Sequence, residues 1–176
     1  MSEVSKYFVP KDDTRLFGKE HEIAERFWAI GVFVTTPDRF IDERIKEWAS
    51  AGRSLPTSAH DFSFAEMGLA TSPLHDPVPN LIYDLACPQC GASLSQVANE
   101  IWEDEESSLA LPLREVACPD CHAISKPDAL VSPEAYTFSR AYLWVSDVDL
   151  EDWDSNFIHT VESVLGPCVE YTSLET

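Results

Sequence analysis

The sequence predicts an α+β fold interrupted by a proline-rich insert. Three observations carry this reading. A short apolar run followed by a helical pattern lies near the N-terminus. A strand, a helix and a second strand follow one another near the C-terminus, and the stretch between these parts changes texture. The 176 residues suit one globular domain with a small inserted module. At 44% hydrophobic content such a chain buries a core without disulfide staples.

Taken in order, residues 1–19 are polar and without clear periodicity, which predicts a partly ordered arm. The run Phe27 to Val34 is rich in aromatic and β-branched residues and predicts a strand buried on both faces. Thr36 is a natural helix cap, with Pro37 at the first helical position and Asp38 where the helix dipole favours negative charge. Ile41, Ile45, Trp48 and Ala49 then recur at helical spacing, and Gly52 is a stop. Near the other end, Ala141 to Val145 predicts a strand, and Asp147 or Asp149 begins a helix. Its apolar stripe is Leu150, Trp153, Phe157, Val161, Val164 and Leu165. Gly166-Pro167 ends it, and Cys168 to Leu174 alternates as a last strand.

Nine of the twelve prolines fall between Arg53 and Ser139, so long helices are disfavoured there. Residues 60–66 supply a further strand. The core is then residues 1–52 and 140–176, and the insert is 53–139. Strand–helix followed by strand–helix–strand resembles a ferredoxin-like sandwich. That resemblance implies helices covering one face of an antiparallel sheet.

The insert carries the chemistry. Cys87-Pro88-Gln89-Cys90 and Cys118-Pro119-Asp120-Cys121 have the same spacing, each after an extended approach. A C-x-x-C turn sets two sulfurs on one side of a tight loop, and two such turns offer four thiolates in a tetrahedron. The metal ligands are therefore Cys87, Cys90, Cys118 and Cys121, holding one structural Zn. These paired knuckles, the first continuing into Gly91, resemble a zinc ribbon over about residues 81–127. The 27 residues between Cys90 and Cys118 suit a β-hairpin with Glu103–Ser108 at its acidic tip. Three rivals are weaker. Cys118 to His122 matches c-type haem attachment, C-P-x-C resembles a redox motif, and four cysteines also hold iron–sulfur clusters. His122 is a substitute ligand or, more simply, a neighbour of the site.

Elsewhere the signals are sparse. His21, His60, His75 and His159 lack metal spacing. His60-Asp61 and His75-Asp76 read as loop residues more readily than as acid–base pairs. Cys168 reads as a small buried hydrophobe. No glycine-rich phosphate loop, H-E-x-x-H motif or nucleophile elbow occurs, so no catalytic residue is assigned. Met1 to Phe8 lack the pattern of a secretory signal, no apolar run is long enough to span a membrane, and five cysteines suit a reducing compartment; the expectation is cytoplasmic.

Charge points to partners. Against 12 basic residues stand 31 acidic ones, a formal net charge of −19, which repels nucleic acid and anionic membranes and attracts basic partners. The expectation is an acidic, zinc-containing protein-interaction module docking on a basic protein. An immunity or inhibitor protein steering onto a basic toxin site fits this description. Trp102, beside the acidic tip, is a candidate contact anchor. The alternatives are a nucleic-acid-binding zinc ribbon, which lacks a basic footprint, and an enzyme whose cleft uses His60, His75 or Cys168.

Overall fold

The computed structural model describes residues 3–33, 50–51, 62–64, 66–77, 84–97, 100, 115–132 and 136–175. The chain divides into two compact units, Met1–Pro73 with Ser139–Thr176, and Leu74–Phe138. The fold is mixed α/β, with a mostly antiparallel sheet and few helices among the described residues.

The first unit is built on the strands β1 (Glu3–Pro10), β2 (Ser50–Ala51), β3 (Glu66–Pro77), β6 (Phe138–Ser146) and β7 (Cys168–Glu175), in the order β2-β3-β6-β1-β7. Two helices join them, α1 (Glu20–Ala29) after β1 and α2 (Phe157–Leu165) after β6. β1 lies between β6 and β7 and runs antiparallel to both. The expected arm is thus the inside strand of the sheet. Its polar look has a physical cause. Lys6 shares a face with Phe8, because strand side chains alternate. Its ammonium is held 2.8 Å from Glu170 and 5.2 Å from the centre of the Trp153 ring, so a charged residue sits where an apolar one was expected.

Both helices pack on the face that carries Phe8, Met67, Leu69, Ala141, Leu143 and Val145. Phe8, Phe62, Trp153 and Phe157 form an aromatic cluster with ring centres 4.6 to 6.1 Å apart. Burying each of these phenyl rings contributes on the order of 2 kcal/mol. Phe27, Trp28 and Ala29 are not a strand: they finish α1. Ile23, Ala24 and Phe27 are the buried face of that helix, at helical spacing, while Trp28 is 45% exposed. Gly31, at φ +80, then turns the chain so that Phe33 packs on Phe27 with ring centres 5.1 Å apart. The expected helix over residues 36–49 lies outside the described residues.

The strand expected at residues 60–66 begins instead at Glu66. Phe62 and Phe64 precede it as buried, non-strand anchors. β3 carries Pro73 and Pro77 beyond its described pairing with β2, which is at Glu66 and Met67. Gly68 is needed where it stands, since a Cβ there would lie 2.7 Å from the Trp144 ring. The second helix starts later than the sequence suggests. Asp149, Asp152 and Asp154 accept hydrogen bonds from Glu151, Ser63 and Asn156, so these carboxylates organise turns and not a helix. Leu150 is consequently 53% exposed and off the buried stripe of Phe157, Val161, Val164 and Leu165. Gly166, at φ +80, ends α2, and β7 begins at Cys168, as the sequence indicated.

Among the described residues, the second unit has little regular structure. β4 (Val116–Ala117) pairs with β5 (Ile124–Ser125), and Ala86 bridges both Ser93 and Val131. Pro127–Ala129 form one 3-10 turn. The Tyr136 hydroxyl is directed at the carbonyls of Pro127 and Leu130, closing that turn onto the chain that leaves the unit. Among the described residues, Leu85, Cys87, Leu94, Val116, Cys118 and Leu130 form its buried cluster.

Candidate metal centre

Each pair of cysteines sits on a turn that the sequence writes twice. The Cys87 N–H donates to the Ala92 carbonyl at 2.8 Å, and the Cys118 N–H donates to the Ala123 carbonyl at 2.9 Å. The Gly91 N–H returns to the Cys87 carbonyl, and the His122 N–H returns to that of Cys118. The residue after each second cysteine must be left-handed: Gly91 has φ +75 and His122 has φ +60. The two knuckles are therefore one local structure made by C-P-x-C-(Gly/His)-Ala. In each, proline fixes the turn and the first cysteine is buried while the second is exposed.

The knuckles face each other. Cys87 Sγ lies 3.7 Å from Cys121 Sγ, and Cys90 Sγ lies 3.6 Å from Cys118 Sγ. All four sulfurs fall within 4.8 Å of one another. A tetrahedron of sulfurs about 2.3 Å from one central ion has edges of about 3.8 Å. The arrangement thus fits a single ion. A disulfide, with sulfurs about 2.0 Å apart, is not formed. The four-cysteine cluster is able to hold a metal ion.

Backbone N–H groups already point at the sulfurs. The N–H groups of Cys90 and then Gln89 stabilise a thiolate at Cys87 and bring its pKa down to about 7. At Cys90 the Ala92 N–H favours the thiolate, but the Cys121 sulfur, burial and the other two sulfurs outweigh it and push the thiol up to about 12. At Cys121 the Ala123 N–H and then the Cys90 sulfur favour the thiolate, but burial and the Cys118 and Cys87 sulfurs outweigh them and the thiol is raised. One thiolate therefore opposes the next in the bare cluster, as like charges in a shared site must. A dication removes that opposition.

Comparison with family models, with curated proteins and with solved structures returns no match. What the chain does must be read from its own residues.

Among the described residues, none of the remaining sequence candidates joins the four-cysteine cluster. His122 is exposed and occupies its left-handed position beside Cys121. His21 and His159 lie on the exposed faces of α1 and α2, beside Glu25 and Glu162. Cys168 is in the first unit, 6% exposed, with its thiol directed at the Gly166 carbonyl. Burial, reinforced by Glu162, pushes that thiol up to about 12, which keeps it protonated and a poor nucleophile. His60 and Trp102 lie outside the described residues, and His75 falls within β3 with its side chain outside them. Sequence reading missed the N–H donors of Ala92 and Ala123; the repeated alanine two residues beyond each knuckle was the available signal.

Proposed function

We propose that this chain is an acidic protein-interaction module, stapled by one structural zinc ion at Cys87, Cys90, Cys118 and Cys121, that docks on a basic partner. The observation that carries the metal half is the set of short cross-knuckle sulfur distances, 3.6 and 3.7 Å. An iron–sulfur cluster occupies the space between its cysteines and needs them farther apart than a single ion does, so zinc is the better fit. Four thiolates leave no open coordination position, and such an ion shapes the chain without acting as a Lewis acid. The strand order β7-β1-β6-β3, with one helix after β1 and one after β6, supports a ferredoxin-like arrangement of the first unit.

The partner half rests on charge. The net charge of −19 is matched locally by the β6–α2 connection, where Asp147, Asp149, Glu151 and Asp152 are exposed around the 53% exposed Leu150. An apolar side chain ringed by carboxylates suits a basic protein surface. The charges speed encounter, and the leucine supplies contact area. An inhibitor that covers a basic site of its target is the narrower form of this reading.

Two measurements test it. Native mass and metal analysis should give one zinc per chain, and metal-free protein with oxidised cysteines removes the first half. A pull-down at about 50 mM salt should retain a basic protein that is released as ionic strength rises. Retention insensitive to salt, or a mobility shift with nucleic acid in its place, removes the second.

A further inference from the structure

A second site lies in the first unit. Between the β1–α1 loop, α1 and the C-terminal end of α2 there is a cavity of about 470 Å³, within the usual range for small-molecule sites. Arg15, Lys19 and Arg26 line it, three of the 12 basic residues in a chain that carries 31 acidic ones. We propose that this cavity binds the oxyanion group, carboxylate or phosphate, of a small molecule.

The argument is which charges the protein has already used. Of the three carboxylates in the wall, Asp12 accepts from the Thr14 N–H at 2.9 Å and from its hydroxyl at 2.7 Å. Glu162 accepts from the Cys168 N–H at 3.1 Å, and its other oxygen faces His159 at 3.5 Å. The third, Glu22, stands 3.8 Å from Lys19, with both side chains more than half exposed. The cations are less committed. Arg26 donates one bond, from Nη2 to the Ser163 carbonyl at 2.9 Å, which holds its head against the wall with other donors to spare. Arg15 has no hydrogen bond or ion pair with a described residue, and its charge acts on Asp12 as the weakest of the causes that shift that carboxyl. Both guanidinium groups line the cavity with spare donors, and each guanidinium is a planar fork matched to a carboxylate or to a phosphate face.

The overall negative charge does not forbid this. At physiological ionic strength, fields fade over about 8 Å, so cations lining the cavity govern its potential more than distant carboxylates do. The long-range field instead slows the approach of highly charged anions, which favours small ligands with one oxyanion group.

The test is a titration of the full zinc-loaded chain, followed by amide and Arg side-chain NMR, with inorganic phosphate and separately with succinate, at constant ionic strength. Saturable shifts at Arg15, Lys19 and Arg26 are expected with at least one of them. Phosphate alone assigns a phosphate source, succinate alone a carboxylate source, and both the shared oxyanion chemistry. Arg15→Gln changes only an exposed side chain and should weaken binding about tenfold, as loss of one charge-assisted contact does. Arg26→Lys keeps the charge, loses the fork and should weaken it by less. No saturation by about 10 mM, or saturation unchanged in Arg15→Gln, overturns the assignment.

Discussion

Among the described residues, the sheet unit buries Phe8, Phe27, Phe62 and Phe157 completely, within a cluster of twenty buried residues, whereas the buried cluster of the cysteine unit has six, two of which are cysteines. A cluster of that size removes, by itself, too little apolar surface from water to offset the ordering of the described residues around it. The sheet unit has no such deficit. Its aromatic cluster and its two helices cover one face of a sheet held by long ladders such as β1–β7. The comparison teaches where each unit keeps its stability: in area in one, in four sulfurs and what they hold in the other.

The largest effect should therefore come from the metal. Chelation, or Cys118→Ser, should abolish the ordered structure of residues 84–97 and 115–132 and leave the sheet unit folded. Structural zinc contributes on the order of 10 kcal/mol to such modules. Amide NMR of the treated protein should lose the dispersed signals of Val116, Ile124 and Tyr136 and keep those of Leu143 and Val145. Acid should act in the same direction. Binding zinc requires the thiols to lose protons, so affinity rises with pH and falls as pH drops below the Cys87 value of about 7. One cooperative loss of both units would erase the contrast drawn here.

The converse experiment attacks the sheet unit. Phe157 is fully buried and touches the rings of Phe8, Phe62 and Trp153, so Phe157→Ala removes a ring from the middle of the cluster. The expected cost is about 3–5 kcal/mol, read from denaturant unfolding followed by Trp153 fluorescence. Zinc content should stay at one per chain, because the knuckles draw nothing from Phe157.

The two units also differed in how legible they were. The cysteine turns are local, and each C-P-x-C segment specifies its own hydrogen bonds, so spacing alone was enough to indicate the cluster. The C-terminal strand and its glycine stop were legible for the same reason: Gly166 and the alternation after Cys168 are short-range signals. β1 was not legible, because what makes it a central strand is distant. Lys6 needs Glu170, 164 positions away, and Trp153 before it reads as an inward residue. The run at Phe27 misled because its apolar texture suits a strand, while Ile23 and Ala24, just before it, carry the helical period. Asp149 is a natural helix start in the sequence but spends an oxygen on the Glu151 N–H in a turn; only the fold decides between those uses.

A smaller effect separates packing from conformation. Gly68 sits under Trp144, and a methyl group there would approach the indole to 2.7 Å. Gly68→Ala must displace the ring and should cost about 1–3 kcal/mol. Gly91→Ala meets nothing within 4 Å, and its φ of +75 alone should cost about 1 kcal/mol. The first loss should appear in unfolding of the sheet unit and the second in the cysteine unit. Appearance of both in one transition would show that the units do not melt separately.

The smallest effect concerns the left-handed position, where the two knuckles differ in sequence but not in shape. Gly91 and His122 hold the same left-handed backbone, and only histidine is penalised for it, by about 1–2 kcal/mol. Glycine at 122 would relieve that strain but also loosen the unfolded chain, which returns about 0.5–1 kcal/mol. His122→Gly should thus raise the stability of the zinc-loaded cysteine unit by no more than about 1 kcal/mol and leave competition for zinc by a chelator unchanged. A marked fall in zinc affinity would mean that the imidazole contributes to the site itself, and the equivalence of the knuckles would then hold for the backbone alone.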